Sequence, residues 1–386
     1  MKKVCFISSS RADFGLLKNL ILRMKTNKSF SVKVIASGTH FSKFHGFTIK
    51  DFKKNKIKID GYIKCNPSAD NVLNISSIMS KSIIGSTKLF KKLKPDIIVV
   101  VGDRYEILAS VISAHLMRIP VAHLHGGEIT HGALDDAFRH SITKMSQIHF
   151  VANKKYKQRV IQLGEEPKNV HIVGGLGIDN ISKTKLLSKK TLEKKFKLKF
   201  LKKNFMICFH PETMNKNSTK KQIKIILQAL KKLKNSNLIF TMPGADLENK
   251  IIISEIKKFV KKTRFSYFFK SLGDVNYYSF LSNVDCMIGN SSSGVLEMPY
   301  FKKGTINLGD RQSGRLFSNT IRNSEISVNQ ILKNINYLFS EQFKTSLKKN
   351  FYLPYGKPGA VNKIFSILKK KKTNKLFNKK FYDLNL

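Results

Sequence analysis

The densest run of proton-carrying side chains is His123-Leu124-His125-Gly126-Gly127-Glu128-Ile129-Thr130-His131-Gly132-Ala133-Leu134-Asp135-Asp136-Ala137-Phe138-Arg139-His140, four histidines and three carboxylates within 18 residues. Imidazoles and carboxylates crowded this way suit removal of a proton from carbon and its return, because surroundings tune each group as acid or base. His125, Glu128 and Asp135 are the candidates, with Arg139 and His140 as alternative structural partners for Asp135 or Asp136. A metal is the rival use. However, His123-x-His125-x-x-Glu128 lacks the spacing of a helical His-Glu-x-x-His, so no metal is expected. A further acid ends the apolar run Val99-Val100-Val101-Gly102-Asp103-Arg104. Asp103 is either a helix cap or a proton-transfer group, and Arg104 beside it suits an anion.

A second set of motifs suits phosphate. Ser8-Ser9-Ser10-Arg11 follows an apolar run, and Arg11 has the fork that grips a phosphate. Cys208-Phe209-His210-Pro211-Glu212-Thr213 aims His210 out of a strand end, where Pro211 stops pairing. Ile288-Gly289-Asn290-Ser291-Ser292-Ser293-Gly294-Val295-Leu296-Glu297 opens a helix with Ser291, Ser292 and Ser293, a cradle for a diphosphate, and places Glu297 to accept ribose hydroxyls. Arg311 and Arg315 in Gly309-Asp310-Arg311-Gln312-Ser313-Gly314-Arg315 suit a phosphate clamp or a solvated loop.

Such residues need strand ends to present them. Short β-branched runs supply these at Lys3–Ser8, Val32–Ser37, Asp96–Gly102, Val121–Leu124, Ile148–Ala152 and Val170–Val173. The scheme repeats at Phe205–Phe209, Leu238–Met242, Ser266–Phe269, Cys286–Ile288 and Thr305–Leu308. Helical patterns at 16–24, 105–116, 136–145, 220–233, 247–260 and 293–298 alternate with them. Apolar strands alternating with helices imply parallel sheets covered on both faces, and two blocks imply two Rossmann-like α/β domains. In such sheets ligands bind beyond the carboxyl ends of the strands, where each motif above falls.

The 386 residues carry a formal charge of +46, which suggests nucleic acid. Yet only 10 of the 71 basic residues are arginine, and residues 271–301 contain no Lys or Arg, so the lysine excess reads as compositional bias and no nucleic-acid partner is expected. Four scattered cysteines, no apolar run of membrane length and an N-terminal apolar run broken at Ser8-Ser9-Ser10 lead to the expectation of a cytoplasmic protein without membrane association.

Taken in order from Ser10-Arg11-Ala12-Asp13 to Gly309-Asp310-Arg311-Gln312-Ser313-Gly314-Arg315, with Arg139-His140-Ser141-Ile142-Thr143-Lys144-Met145-Ser146 between, the motifs resemble the hydrolysing UDP-N-acetylglucosamine 2-epimerases over nearly the whole chain. The resemblance implies a GT-B arrangement of the two domains with the active site in the cleft between them. The corresponding boundaries are 1–175, 176–355 and 356–386, the last holding a helix over 359–368 that returns to the first domain and a basic tail. It implies a nucleotide-sugar substrate, no cofactor and a homodimer. UDP-N-acetylglucosamine is the first substrate expectation, a UDP- or GDP-linked 2,4-diacetamido-trideoxyhexose the second, and a non-hydrolysing epimerase a third reading. By resemblance Asp103 and Asp135 match catalytic carboxylates, and His210 matches the histidine near the leaving diphosphate. Ser291, Ser292, Glu297 and Arg311 match nucleotide contacts, and Arg11 and Arg104 arginines near the phosphates. His125 stands where some members carry Glu, and Pro243-Gly244-Ala245-Asp246 replaces a Pro-Asn pattern.

Overall fold

The structure is a computed structural model that describes residues 1–43, 46–65, 71–131, 133–212, 219–244, 248–373 and 376–384. Gly132, Thr213 and Ala245-Asp246, all within the motifs above, lie outside the described residues, as does the expected start of a helix at Leu247. The chain divides into two compact units. The first is Met1–Glu128, Leu134–Asn180 and Tyr355–Leu386, and the second is Ile129–Ala133 and Ile181–Pro354.

The first unit is built on β1 (Lys2–Ser8), β2 (Phe30–Ala36), β3 (Gly61–Tyr62), β4 (Ile97–Val101), β5 (Val121–Leu124), β6 (Ile148–Val151) and β7 (Val170–Ile172). They form one parallel sheet in the order β3-β2-β1-β4-β5-β6-β7. The second unit uses β8 (Lys203–Cys208), β9 (Ser236–Thr241), β10 (Ser266–Phe269), β11 (Cys286–Gly289), β12 (Gly304–Leu308) and β13 (Ile321–Ser324). Its parallel sheet runs β10-β9-β8-β11-β12-β13. Both are Rossmann orders, and in each the chain reverses direction across the sheet at one place, β1 beside β4 and β8 beside β11.

Both faces of each sheet are covered, so the strands read as unbroken apolar runs. Val4, Phe6, Ile97, Val99 and Val101 face one core of the first unit, while Cys5, Ile7, Ile98 and Val100 face the other. In the second unit Phe205, Ile207 and Phe209 face one core, and Met206 and Cys208 the other.

The Ala360–Lys370 helix buries Ala360, Val361, Ile364, Phe365 and Leu368 in the first of these cores. Its N-terminus is held by Asp179, whose carboxylate accepts from the backbone N–H groups of Gly359, Ala360 and Val361.

Four elements depart from the sequence expectation. The 22-residue Val72–Leu93 helix shows no clean apolar stripe because its buried face is partly serine, with Ser82 and Ser86 fully buried and Ser86 bonded to Ser110 at 2.9 Å. β3 has two residues, too few for periodicity, and β13 buries only Ser324. The helix expected over 293–298 spans Ser292–Leu296 and passes into a 3-10 turn at Met298–Phe301, where Pro299 ends α-helical bonding. Among the described residues no helix is long and apolar enough to cross a membrane, and all four cysteines are free and buried.

Candidate active site

In the first unit the motif residues stand where β1 and β4 end side by side. Ser10 caps the Arg11–Lys25 helix by accepting from Asp13 N–H at 3.2 Å, while the Asp13 carboxylate accepts from Ser9 N–H at 2.9 Å and Ser9 Oγ at 2.6 Å. Arg11 is thereby fixed as the first helical residue and stays half-buried. Burial raises the Asp13 pKa, and its bonds to Ser9 oppose that rise.

Gly102, at φ 78°, turns the chain out of β4. The Nε2 of His123 donates to its carbonyl at 2.8 Å, and Nδ1 accepts from Thr143 Oγ1 at 3.1 Å. Burial lowers the His123 pKa to about 3, so the ring stays neutral and serves as a strut.

Asp103 does not cap the next helix. Arg104 holds the cap position, with no side-chain cap bond, which removes the helix-cap alternative. Asp103 instead pairs with Arg139, a side chain only 1% exposed. Arg139 also donates to Glu128 O at 2.9 Å and Asp136 Oδ1 at 2.9 Å. One guanidinium thus joins the end of β4, the loop after β5 and the Asp135–Met145 helix. His140 lies 3.5 Å from Asp136. Asp135 is the first residue of that helix and is half-buried.

His125 and Glu128 form a buried pair, Nδ1 to Oε1 at 2.9 Å, and the Nε2 of His125 is buried without a partner among the described residues. His125 adopts φ 65°, a left-handed conformation that is strained by about 1–2 kcal/mol in a residue with a side chain. Gly127 follows at φ 76°, where a Cβ would strike the Tyr156 carbonyl.

Glu106, which the sequence reading passed over, is fully buried and accepts from Arg104 Nε at 3.3 Å. Burial raises its pKa and Arg104 opposes that shift.

In the second unit the equivalent place is the paired ends of β8 and β11, where Gly289 is in register with Cys208. A Cβ on Gly289 would collide with the Cys208 carbonyl. Asn290, fully buried, then exchanges two bonds with the backbone of His210: His210 N–H donates to Asn290 Oδ1 at 2.7 Å, and Asn290 Nδ2 donates to His210 O at 2.9 Å. The His210 ring is oriented by Gly244 N–H, which donates to Nδ1 at 3.2 Å, and by Cys208 Sγ at 3.5 Å from Nε2. Burial opposes ionisation of Cys208, yet His210, with Thr241 and Ser291, outweighs it and brings the thiol down to about 7.

The carbonyl of Asn290 accepts from Gln312 Nε2 at 2.8 Å and Arg311 Nη1 at 3.5 Å, which ties the Gly309–Arg315 turn to the same strand end. Arg311 and Arg315 are half-buried on that turn. Glu212 holds its other side by accepting from Asp310 N–H at 2.8 Å. Ser291 caps the five-residue Ser292–Leu296 helix, and Glu297 is partnered by Ser293 Oγ and by Tyr278 OH at 3.4 Å.

Asn290, Gln312 and Glu212 were all inside quoted motifs, but Asn between Gly and Ser reads as a turn former, and its role depends on a partner 80 residues away. Among the described residues no three His, Cys, Asp or Glu side chains converge as a metal-holding group.

A family model described as UDP-N-acetylglucosamine 2-epimerase matches residues 22–369. A Campylobacter jejuni protein described as a GDP/UDP-N,N'-diacetylbacillosamine 2-epimerase (hydrolyzing) is 41% identical over 385 residues, 99% of each chain. The polysialic acid biosynthesis protein P7 of Escherichia coli is 35% identical over 100% of this chain and 98% of its own. The crystal structure of the Neisseria meningitidis UDP-GlcNAc 2-epimerase bound to UDP-GlcNAc superposes with a TM-score of 0.80, covering 96% of this chain and 100% of the other at 19% identity, a likeness of fold.

Proposed function

The chain belongs to the UDP-N-acetylglucosamine 2-epimerase family, and from that premise we propose that it is a hydrolysing 2-epimerase of UDP- or GDP-linked N,N'-diacetylbacillosamine, a 2,4-diacetamido-trideoxyhexose. The observation that carries the substrate is the 41% identity, end to end, to a relative described by that activity. It moves the preference from UDP-N-acetylglucosamine, the first expectation of the sequence reading, to the second.

In the proposed reaction a base takes the proton from C2 while the nucleoside diphosphate leaves C1, giving a glycal. Water then adds to the double bond, with oxygen at C1 and a proton on the opposite face of C2, and the free 2-epimerised sugar departs. The first unit supplies the proton-transfer groups: Asp103, positioned by Arg139, Asp135 at its helix start, and the His125–Glu128 pair, whose buried, unpartnered Nε2 ends a two-group relay. Arg11 and Arg104 neutralise phosphate charge. In the second unit His210 faces the leaving diphosphate, Ser291, Ser292, Ser293, Arg311 and Arg315 hold the nucleotide, and Glu297 takes the ribose. Asn290 and Glu212 position these groups without touching substrate. No cofactor takes part, and the assembly is a homodimer by family likeness.

The deciding experiment incubates the protein with UDP- and GDP-N,N'-diacetylbacillosamine and with UDP-N-acetylglucosamine in deuterated water, followed by NMR. The expected result is a free 2-epimerised diacetamido sugar with deuterium at C2, and slower turnover of UDP-N-acetylglucosamine. Turnover of UDP-N-acetylglucosamine alone would overturn the substrate, and an epimerised sugar still bearing its nucleotide would overturn the hydrolytic step.

A further inference from the structure

The basic tail expected from the sequence is packed against the first unit over residues 376–384, and its Lys379 side chain is largely buried there. The Lys379 ammonium donates to Glu165 Oε1 and Oε2, both at 2.7 Å, to Ser146 O at 2.8 Å and to Lys144 O. Glu165, itself buried, also pairs with Lys144 at 3.0 Å and with His149 Nε2 at 2.9 Å. Further along the tail Phe381 lies against Gly164, and Tyr382 N–H donates to Gly164 O at 3.0 Å. Lys144 Nζ stands 4.3 Å from the centre of the Phe381 ring.

Lys144 and Ser146 close the Asp135–Met145 helix, so Lys379 sits on its carboxyl end, where open carbonyls and the helix dipole favour a cation. The other end carries Asp135, and Arg139, one turn in, joins Asp103, Asp136 and Glu128 O. Eleven residues make a rod of roughly 16 Å. Lys379 grips that rod beside the start of β6, and its far end stands among the groups assigned to proton transfer. A slip or tilt of the rod moves Asp135 directly and Asp103 through Arg139.

We propose that Lys379 is a positioning residue for the reaction, fixing from the rear the placement of the helix that carries Asp135 and holds Asp103 through Arg139. The proposal rests on the reaction proposed above. The charge of Lys379 matters as well as its grip. Burial keeps the His149 ring neutral, Glu165 draws a proton toward it, and Lys379 and Lys144 oppose that. The imidazoles near it are His123 on β5, the strut under Gly102, and His171 on β7. Without the Lys379 ammonium the buried Glu165 carboxylate is left to half-buried Lys144 and to His149, which then takes up a proton at higher pH. The new charge lies beside the His123 strut.

Lys379→Met and Phe381→Ala in the full chain are the test. Hydrogen exchange of the Asp135–Met145 amides is followed without substrate, and kcat and KM for the nucleotide sugar are measured between about pH 8 and pH 6. Lys379→Met is expected to speed exchange along the helix, its start included, and to lower kcat roughly five- to tenfold. KM should hold, because the nucleotide is assigned to the second unit. The kcat deficit of Lys379→Met should grow as pH falls. Phe381→Ala loosens the same segment but keeps the ammonium, so its smaller deficit should be level with pH. Phe381 is mostly exposed, so this variant should fold even if Lys379→Met does not. Unchanged exchange or unchanged kcat in the variants that fold would overturn the proposal, as would a Lys379→Met deficit level with pH. A wild type that turns over none of the three nucleotide sugars would remove the reaction and the proposal together, whereas variants that match an active wild type remove the proposal alone.

Discussion

Asp103 and His123 sit on either side of the Gly102 turn and do opposite work. His123 is sealed and neutral, holding the Gly102 carbonyl, while Asp103 is tied to Arg139 at the strand end. For the groups assigned to chemistry, Asp103→Asn, Asp135→Asn and His210→Ala are each expected to lower nucleotide release at least about 100-fold, the usual range for a lost acid–base or charge-stabilising group. Near-wild-type turnover in all three would remove the mechanism.

His123 makes a stability prediction instead. Its folded pKa is about 3 against an unfolded value near 6.5, so between those values the unfolded chain binds a proton that the folded chain refuses. Stability from this group is therefore complete above about pH 6.5 and declines as pH falls toward 3. Asp13 and Glu106 act in the opposite sense, since burial raises their pKa values. Comparison with His123→Gln isolates the histidine: the variant's deficit in thermal midpoint should shrink from pH 7 to pH 5. A constant deficit would show that the ring's protonation is not linked to folding.

At the scale of elements, the site consists of strand ends pinned to one another. Asn290 joins β8 to β11 through two reciprocal bonds and carries the Gln312 and Arg311 contacts on its carbonyl. Asn290→Ala would leave the His210 backbone groups unsatisfied, at roughly 1–3 kcal/mol by chemical denaturation. Turnover should fall more than substrate affinity, because His210 shifts while the serines remain. Asp179→Ala tests the other kind of joint, with an expected loss of about 1–3 kcal/mol and no change in kcat, since it anchors a helix N-terminus in the first unit.

What was legible in the sequence follows from the same distinction. Strands buried on both faces announce themselves as apolar runs, so β1, β4, β5, β8 and β11, and the motifs at their ends, could be read directly. The Val72–Leu93 helix could not, because serines stand on its packed face. Neither could the partners of Asp103 and His210, which are set by pairings 36 and 80 residues apart. Local sequence shows which groups a strand end offers, but not which neighbouring strand will brace them.

Over the whole molecule the charge of +46 has to be reconciled with an anionic small substrate. The basic residues are overwhelmingly lysines, compact hydrated charges without the planar fork that reads bases or grips a duplex in register. Such a field draws anions from a distance without holding them. Its reach is the screening length, roughly 30 Å at 0.01 M salt and 8 Å at 0.15 M. Steering of this kind acts on encounter, so kcat/KM for the nucleotide sugar should fall as salt rises through that range while kcat, set after binding, stays level. A duplex-binding protein behaves differently. Its affinity drops by orders of magnitude over a similar range because each neutralised phosphate releases a counterion. Random-sequence duplex DNA at 0.15 M salt is accordingly expected neither to inhibit turnover nor to shift the thermal midpoint. Strong inhibition that vanishes steeply with added salt would mean that the lysine field is a nucleic-acid surface after all.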